Sequence, residues 1–169
     1  MKNLIIGLVI VLVLAGVGYY FYKKPEPVSG ETIKIGAILP LSGVAANYGE
    51  ESRNGLETAL KDFKEKYPNT NIKIIYEDSL YTSKGGVDAY KKIKHENDVS
   101  IVITGASQVS IPIKELSEKD NVLQLAIWTA APSYSATHNL NYRIHLLADD
   151  YINIFTDYFK SKSVKKLAI

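Results

Sequence analysis

The 169-residue chain has no cysteine. That excludes disulfides, thiolate metal sites, cysteine nucleophiles and lipid attachment through sulfur. It also lacks an excess of either charge, with 20 Lys and Arg against 18 Asp and Glu. Lys2, Lys23 and Lys24 flank an apolar N-terminal run, and without them the balance is 17 to 18. A near-neutral body has no electrostatic footprint for nucleic acid, so no such partner is expected. Histidine is scarce, and His95, His138 and His145 lack ligand spacing, so no metal is expected. Gly85-Gly86 and Gly105 belong to no phosphate-cradling motif, which leaves no cofactor to expect. A content of 46% hydrophobic and 22% charged residues excludes disorder and a multi-span membrane protein. What is plentiful is tyrosine, 12 residues, beside a single tryptophan, Trp128.

Leu4 to Tyr22 is a run of 19 residues without a charge. About 20 apolar residues span a bilayer as a helix. Tyr19, Tyr20 and Tyr22 stand where aromatic rings favour the headgroup region, followed by Lys23 and Lys24. Residues 1–24 are therefore expected to be a transmembrane anchor, the alternative being a cleaved signal sequence. Leu12 to Gly16 has the look of a lipoprotein signal, but Val17 stands where the lipid-bearing cysteine would be. Residues 25–31, with Pro25, Pro27 and Gly30, form a short linker that ends any helix leaving the membrane.

From residue 32 strand and helix patterns alternate. Ile33–Leu39 is apolar and β-branched and ends at Pro40, as a buried strand does. Asn47 is expected to open a helix, with Glu50 at capping-box spacing and Pro68-Asn69 as its stop. Ile72–Tyr76, Ser100–Thr104 and Val122–Ile127 read as further strands. Gly86, Ala89, Tyr90 and Ile93 form the stripe of a second helix. A third is expected over Ser110–Lys119, with Pro112 near its first turn, where a missing N–H does no harm. Tyr142–Leu146 is a short strand, and Asp149 or Asp150 caps a helix with inner face Ile152, Phe155, Tyr158 and Phe159. Lys165–Ile169 begins one more strand with nothing after it, so the chain is expected to be the N-terminal part of a longer protein.

Serial βα units at this spacing predict an α/β fold: a parallel sheet with helices on both faces. Ligands of such sheets bind beyond the carboxyl ends of the strands. The loops at 40–48, 78–84, 105–110 and 128–135 are thus the functional candidates.

Three segments resemble the type I periplasmic solute-binding proteins of the leucine/isoleucine/valine-binding kind. The first is Ile35-Gly36-Ala37-Ile38-Leu39-Pro40-Leu41-Ser42-Gly43, continuing through Ala46, Tyr48 and Gly49 to Asn54-Gly55 and Ala59. The second is Tyr76-Glu77-Asp78. The third runs from Gly105-Ala106-Ser107 through Asn121-Val122 to Thr129-Ala130-Ala131-Pro132 and Arg143. The resemblance implies a first lobe over 32–147 and the start of a second over 148–169. It implies a body outside the cytoplasm, a small solute such as an amino acid, and an ABC permease in the membrane as partner. It casts Tyr48 as an aromatic wall, Ser107 as the residue fixing the ligand head group, and Trp128, Thr129 and Ala130 as the loop completing the clamp. The pattern's hydroxyl falls at 130, where this chain has alanine.

Each of these residues also has a plainer reading. Tyr48 can staple a helix start, Ser107 can cap one, and Trp128 can be core. Glu50-Glu51, Glu77-Asp78 and Asp149-Asp150 lie at helix starts or strand ends, where caps and helix dipoles account for acids, so no catalytic residue and no enzyme is expected. The alternative function is the ligand-binding domain of a membrane receptor or sensor.

Overall fold

The computed structural model describes residue 30 and residues 32–135 and 140–166. The expected N-terminal span at 1–24, most of the linker, His138 and the last three residues lie outside the described residues.

Five strands form one sheet in the order β2-β1-β3-β4-β5, and every pairing is parallel. They are β1 (Ile33–Leu39), β2 (Ile72–Asp78), β3 (Ile101–Gly105), β4 (Leu123–Ile127) and β5 (Asn141–Ile144). Helix α1 (Ala46–Lys66) joins β1 to β2, α2 (Ser83–Asn97) joins β2 to β3, and α3 (Ser107–Lys119) joins β3 to β4. A 3-10 turn, Pro132–Ser135, lies between β4 and β5, and α4 (Ala148–Ser161) follows β5. Because β2 lies on one side of β1 and β3 on the other, right-handed crossovers put α1 on one face and α2 and α3 on the other. Side chains agree. Ile75 and Glu77 of β2 face α2, the latter meeting Lys92 Nζ at 2.7 Å, while Tyr76 between them faces α1 and bonds Glu57 at 2.8 Å.

The core lies between the sheet and the α2–α3 pair. Ile38, Val102, Tyr90, Ile93, Val109, Ile113 and Val122 are buried there. Beside this apolar cluster runs a buried polar one. Gln124 Nε2 donates to Thr104 Oγ1 at 2.9 Å, and Thr104 donates to Ser110 Oγ at 2.8 Å. At the other end Ser117 donates towards Gln124 Oε1 and Asn141 Oδ1, and Asn141 Nδ2 donates to Glu118 at 2.7 Å. Burying these groups is tolerable because each finds a partner.

The helix starts differ from the sequence expectation. Asn47 does not open α1. The chain enters it through a 3-10 turn, Gly43–Ala45, and Ala46 N–H bonds Gly43 O. Helix α3 begins at Ser107, three residues early, which puts Pro112 inside the helix rather than in its first turn. Proline there leaves the carbonyl four residues back without its partner. Ser83 of α2 supplies one, its hydroxyl donating to Gln108 O at 2.8 Å. Helix α4 is capped from within: Asp150 accepts the Leu147 N–H at 3.0 Å. Of its expected inner face, Ile152, Phe155 and Tyr158 are more than half exposed and Phe159 is half-buried.

Candidate ligand-binding site

Strand order reverses at β1, so the loops after β1 and β3 diverge to opposite faces and leave a crevice between them. Tyr48 comes from the first loop's helix and Ser107 from the second's. The loop after β4 supplies Trp128 beside them.

Trp128 is held on three sides. It has a φ of 38°, in the left-handed region. Its ring lies on Gly105, where an added Cβ would stand 2.6 Å from the indole Cζ2. Its Nε1–H donates to Ser52 Oγ at 3.2 Å, one turn along α1 from Tyr48. The Tyr48 and Trp128 rings are 5.9 Å apart between centroids and tilted by 37°, within the range of a favourable aromatic pair. Tyr48 is 57% exposed and Trp128 half-buried, so the pair presents a wall to solvent.

Ser107 is not a cap. The capping position is Ala106, at φ 77°, and Ser107 is the first helical residue. Its Oγ accepts the Ala131 N–H at 3.3 Å and ties the loop after β3 to the loop after β4. Val109 and Ser110 N–H both bond Ala106 O, which leaves the Ser107 and Gln108 N–H groups at the open end of the helix.

Thr129 is placed otherwise than the resemblance implied. Its side chain is fully buried, with Oγ1 at 2.9 Å from Ser110 Oγ and donating to Ile127 O at 3.3 Å. The hydroxyl closes the buried polar cluster and does not face the crevice. Ala130 is half-buried, and its carbonyl accepts the Ala148 N–H at 3.0 Å.

The loops after β1 and β2 are bound together by Asp78. Its Oδ1 accepts the Leu41 and Leu80 N–H groups at 2.9 and 2.8 Å, and its Oδ2 accepts the Ser42 hydroxyl at 2.6 Å. Desolvation pushes this carboxyl up, but the bonds from Ser42, Leu80 and Leu41 outweigh it and hold the group below its ordinary range. Gly49 then packs α1 against the end of β1, where a Cβ would come within 2.0 Å of Pro40 O. Glu77 and Asp78 point to opposite faces and do not form a paired acid site.

The four loops at this edge share a backbone feature. Gly43, Leu80, Tyr81, Ala106 and Trp128 all have positive φ. A non-glycine residue held in such a region costs on the order of 1–3 kcal/mol and persists where the surroundings enforce it. Outside these loops the left-handed positions among the described residues are Asp98 and Asn121, types that adopt it readily, and Ser163 just past α4. Strain is thus concentrated at the carboxyl edge. Sequence reasoning missed Ser52, Thr104 and Gln124, though Gly105 and Ser110 lay in the 105–110 loop it marked; the spacing of Ser52 four residues after Tyr48 was the available signal for the first.

The order and the switch point define a doubly wound α/β lobe, with its strained loops gathered at the carboxyl edge. The chain belongs to the periplasmic binding protein family, whose sequence profile matches residues 32–169, and its fold is that of a type I lobe. The Leu/Ile/Val-binding protein BraC3 of Rhizobium johnstonii is 31% identical over 108 residues, 63% of this chain and 29% of its own. A possible leucine/isoleucine/valine-binding protein from Rhodopirellula baltica superposes with a TM-score of 0.74 at 22% identity, over 84% of this chain and 39% of that one. A solute-binding protein from Rhodopseudomonas palustris, solved with 4-hydroxybenzoate, gives 0.72 at 16% identity, over 78% and 36%. This chain spans between 28% and 40% of the length of the curated relatives it matches.

Proposed function

We propose that residues 32–147 are the first lobe of an extracytoplasmic solute-binding protein, with 148–169 leading into a second. The protein holds an amino acid or similar small solute between its lobes and delivers it to an ABC permease, with residues 1–24 as its tether to the membrane. It binds without chemistry. The observation that carries this reading is the meeting of Tyr48, Trp128 and the start of α3 at the switch point, on loops whose backbone is strained. Tyr48 and Trp128 give the apolar wall. The Ser107 hydroxyl and the first N–H groups of α3 give donors for a negatively charged or carbonyl head group. Thr129 acts from behind, by holding the loop that carries Trp128.

A single lobe supplies half of the contacts, so binding by the chain as it stands is expected at about millimolar strength. The test is amide NMR of the full chain against a panel of amino acids and small carboxylic acids. At least one solute should move the Ser107 and Gly105 signals, and Tyr48→Ala should weaken that response. A panel that leaves the carboxyl edge unmoved refutes the reading.

A further inference from the structure

Helix α1 carries Tyr48 to the crevice although it is lightly seated, with Gly49 its one buried residue. On the β2 flank it is held through Tyr76, whose hydroxyl donates to Glu57 at 2.8 Å and whose ring centroid lies 4.9 Å from the Arg53 guanidinium. On the flank towards β3 and β4 it is held through Ser52. We infer that Ser52 is a positioning residue of the solute site, its hydroxyl fixing the Tyr48 and Trp128 rings as one surface before any solute arrives. The inference rests on the solute-binding reading above and adds a residue to that site.

The bonding of Ser52 has a direction. Its hydroxyl donates to the Tyr48 carbonyl at 2.8 Å, one turn back along the helix. That bond turns the hydrogen towards the helix and leaves lone pairs on the oxygen to accept. Trp128 Nε1–H, a donor with no acceptor capacity, meets one of them at 3.2 Å. A single hydroxyl thus joins the backbone under the first ring to the edge of the second, across 76 positions of sequence. Gly105 beneath the indole and the left-handed backbone at Trp128 fix the plane in which the ring lies. Its register against α1 is set by Ser52.

A serine that bonds back to its own helix is common and is no site by itself. Thr58 does the same on α1, donating to Asn54 O at 2.8 Å, and it is exposed. Ser52 differs in being half-buried and in accepting a bond from a different loop. Thr58 is therefore an internal control. It also shows that threonine makes the back-bond on this helix, so Ser52→Thr is a conservative rescue. Ser52→Ala removes the hydroxyl and favours the helix, so folding is not at risk.

The test compares the full chain, labelled with nitrogen-15, with Ser52→Ala, Ser52→Thr and Thr58→Ala. Trp128 is the sole tryptophan, so one indole signal reports on the bond. In Ser52→Ala the indole hydrogen should exchange with water about tenfold faster or more. Nuclear Overhauser contacts between the Tyr48 and Trp128 rings should vanish, with the urea midpoint close to that of the parent. Ser52→Thr should restore both signals, and Thr58→Ala should disturb neither. Any amino acid or small carboxylic acid that moves the Ser107 amide should bind Ser52→Ala about fivefold or more weakly. Unchanged exchange and ring contacts in Ser52→Ala overturn the inference, as do equal disturbance by Thr58→Ala and no recovery in Ser52→Thr. A large fall in the urea midpoint of Ser52→Ala marks the serine as a support of the fold alone and also overturns it. Undiminished solute binding beside lost ring contacts overturns it too, and leaves the solute-binding reading standing. A panel that moves nothing at the carboxyl edge of the parent brings down the solute-binding reading itself, and the role of Ser52 in binding with it.

Discussion

The two faces of the sheet are covered by very different means. On one, α2 and α3 bury Ile38, Val102, Ile93, Val109 and Ile113 completely. On the other, α1 lies over β1 and β2, and its sole buried residue is Gly49. Beyond α1 the same face carries Leu125 and Ile127, half-buried, and Tyr142 and Ile144, at 53% and 65% exposure. The difference follows from the connections. Two successive crossovers run in one direction and stack their helices side by side, while the single reversed crossover leaves its helix without a neighbour. Local chain order thus completes one half of the core and, among the described residues, leaves the other half open.

Substitutions can break this contrast. The largest effect belongs to the closed face: Ile93→Ala should cost about 2–5 kcal/mol in urea unfolding, because the cavity forms among residues with no freedom to collapse. Gly49→Ala should cost about 1–3 kcal/mol, since the new methyl meets backbone at Pro40 and not a movable side chain. Ser110→Ala removes the link between Thr104 and Thr129 and should cost about 1–3 kcal/mol, with a change in the Trp128 fluorescence that a purely distant defect would not give. On α4, Ile152→Ala and Phe155→Ala should each stay within about 0.5 kcal/mol in the same assay. A large loss there would show that α4 is covered.

Asp78 sharpens the comparison through pH. Its carboxyl is held below the ordinary range when folded, so its contribution is fully present above the unfolded value of about 3.9 and disappears as pH falls through the lower folded value. Asp78→Asn should flatten the acid limb of the stability profile in that window. An unchanged limb would show that its three bonds do not hold the loops.

The strands were legible because parallel sheets bury both sides and β1, β3 and β4 read as apolar runs. Gln124 was passed over inside such a run, since one polar residue in an apolar strand gives no hint of the Thr104 and Ser117 hydroxyls awaiting it across the sheet. The start of α3 was missed because Ala106, at φ 77°, has no composition signal for a left-handed turn. Topology marked the loops at 40–48 and 128–135 as candidates, while the roles of Tyr48 and Trp128 within them came from the family resemblance. The direction of Thr129 was not legible, because it depends on Ser110, a turn inside a helix whose start was misplaced. The face of α4 had the right period for burial, but periodicity marks an apolar stripe and says nothing of what lies against it.

Pro112 and Ser83 have a bearing on how this sequence can change over generations. The carbonyl of Gln108 loses its helical partner to the proline and regains one from the serine of a different helix. While the proline stays, exchange of the serine strands a polar atom. Once the proline is replaced, the serine is released and its position can drift. The order of events therefore matters: a lineage can leave this arrangement readily by changing 112 first, and only with difficulty by changing 83 first.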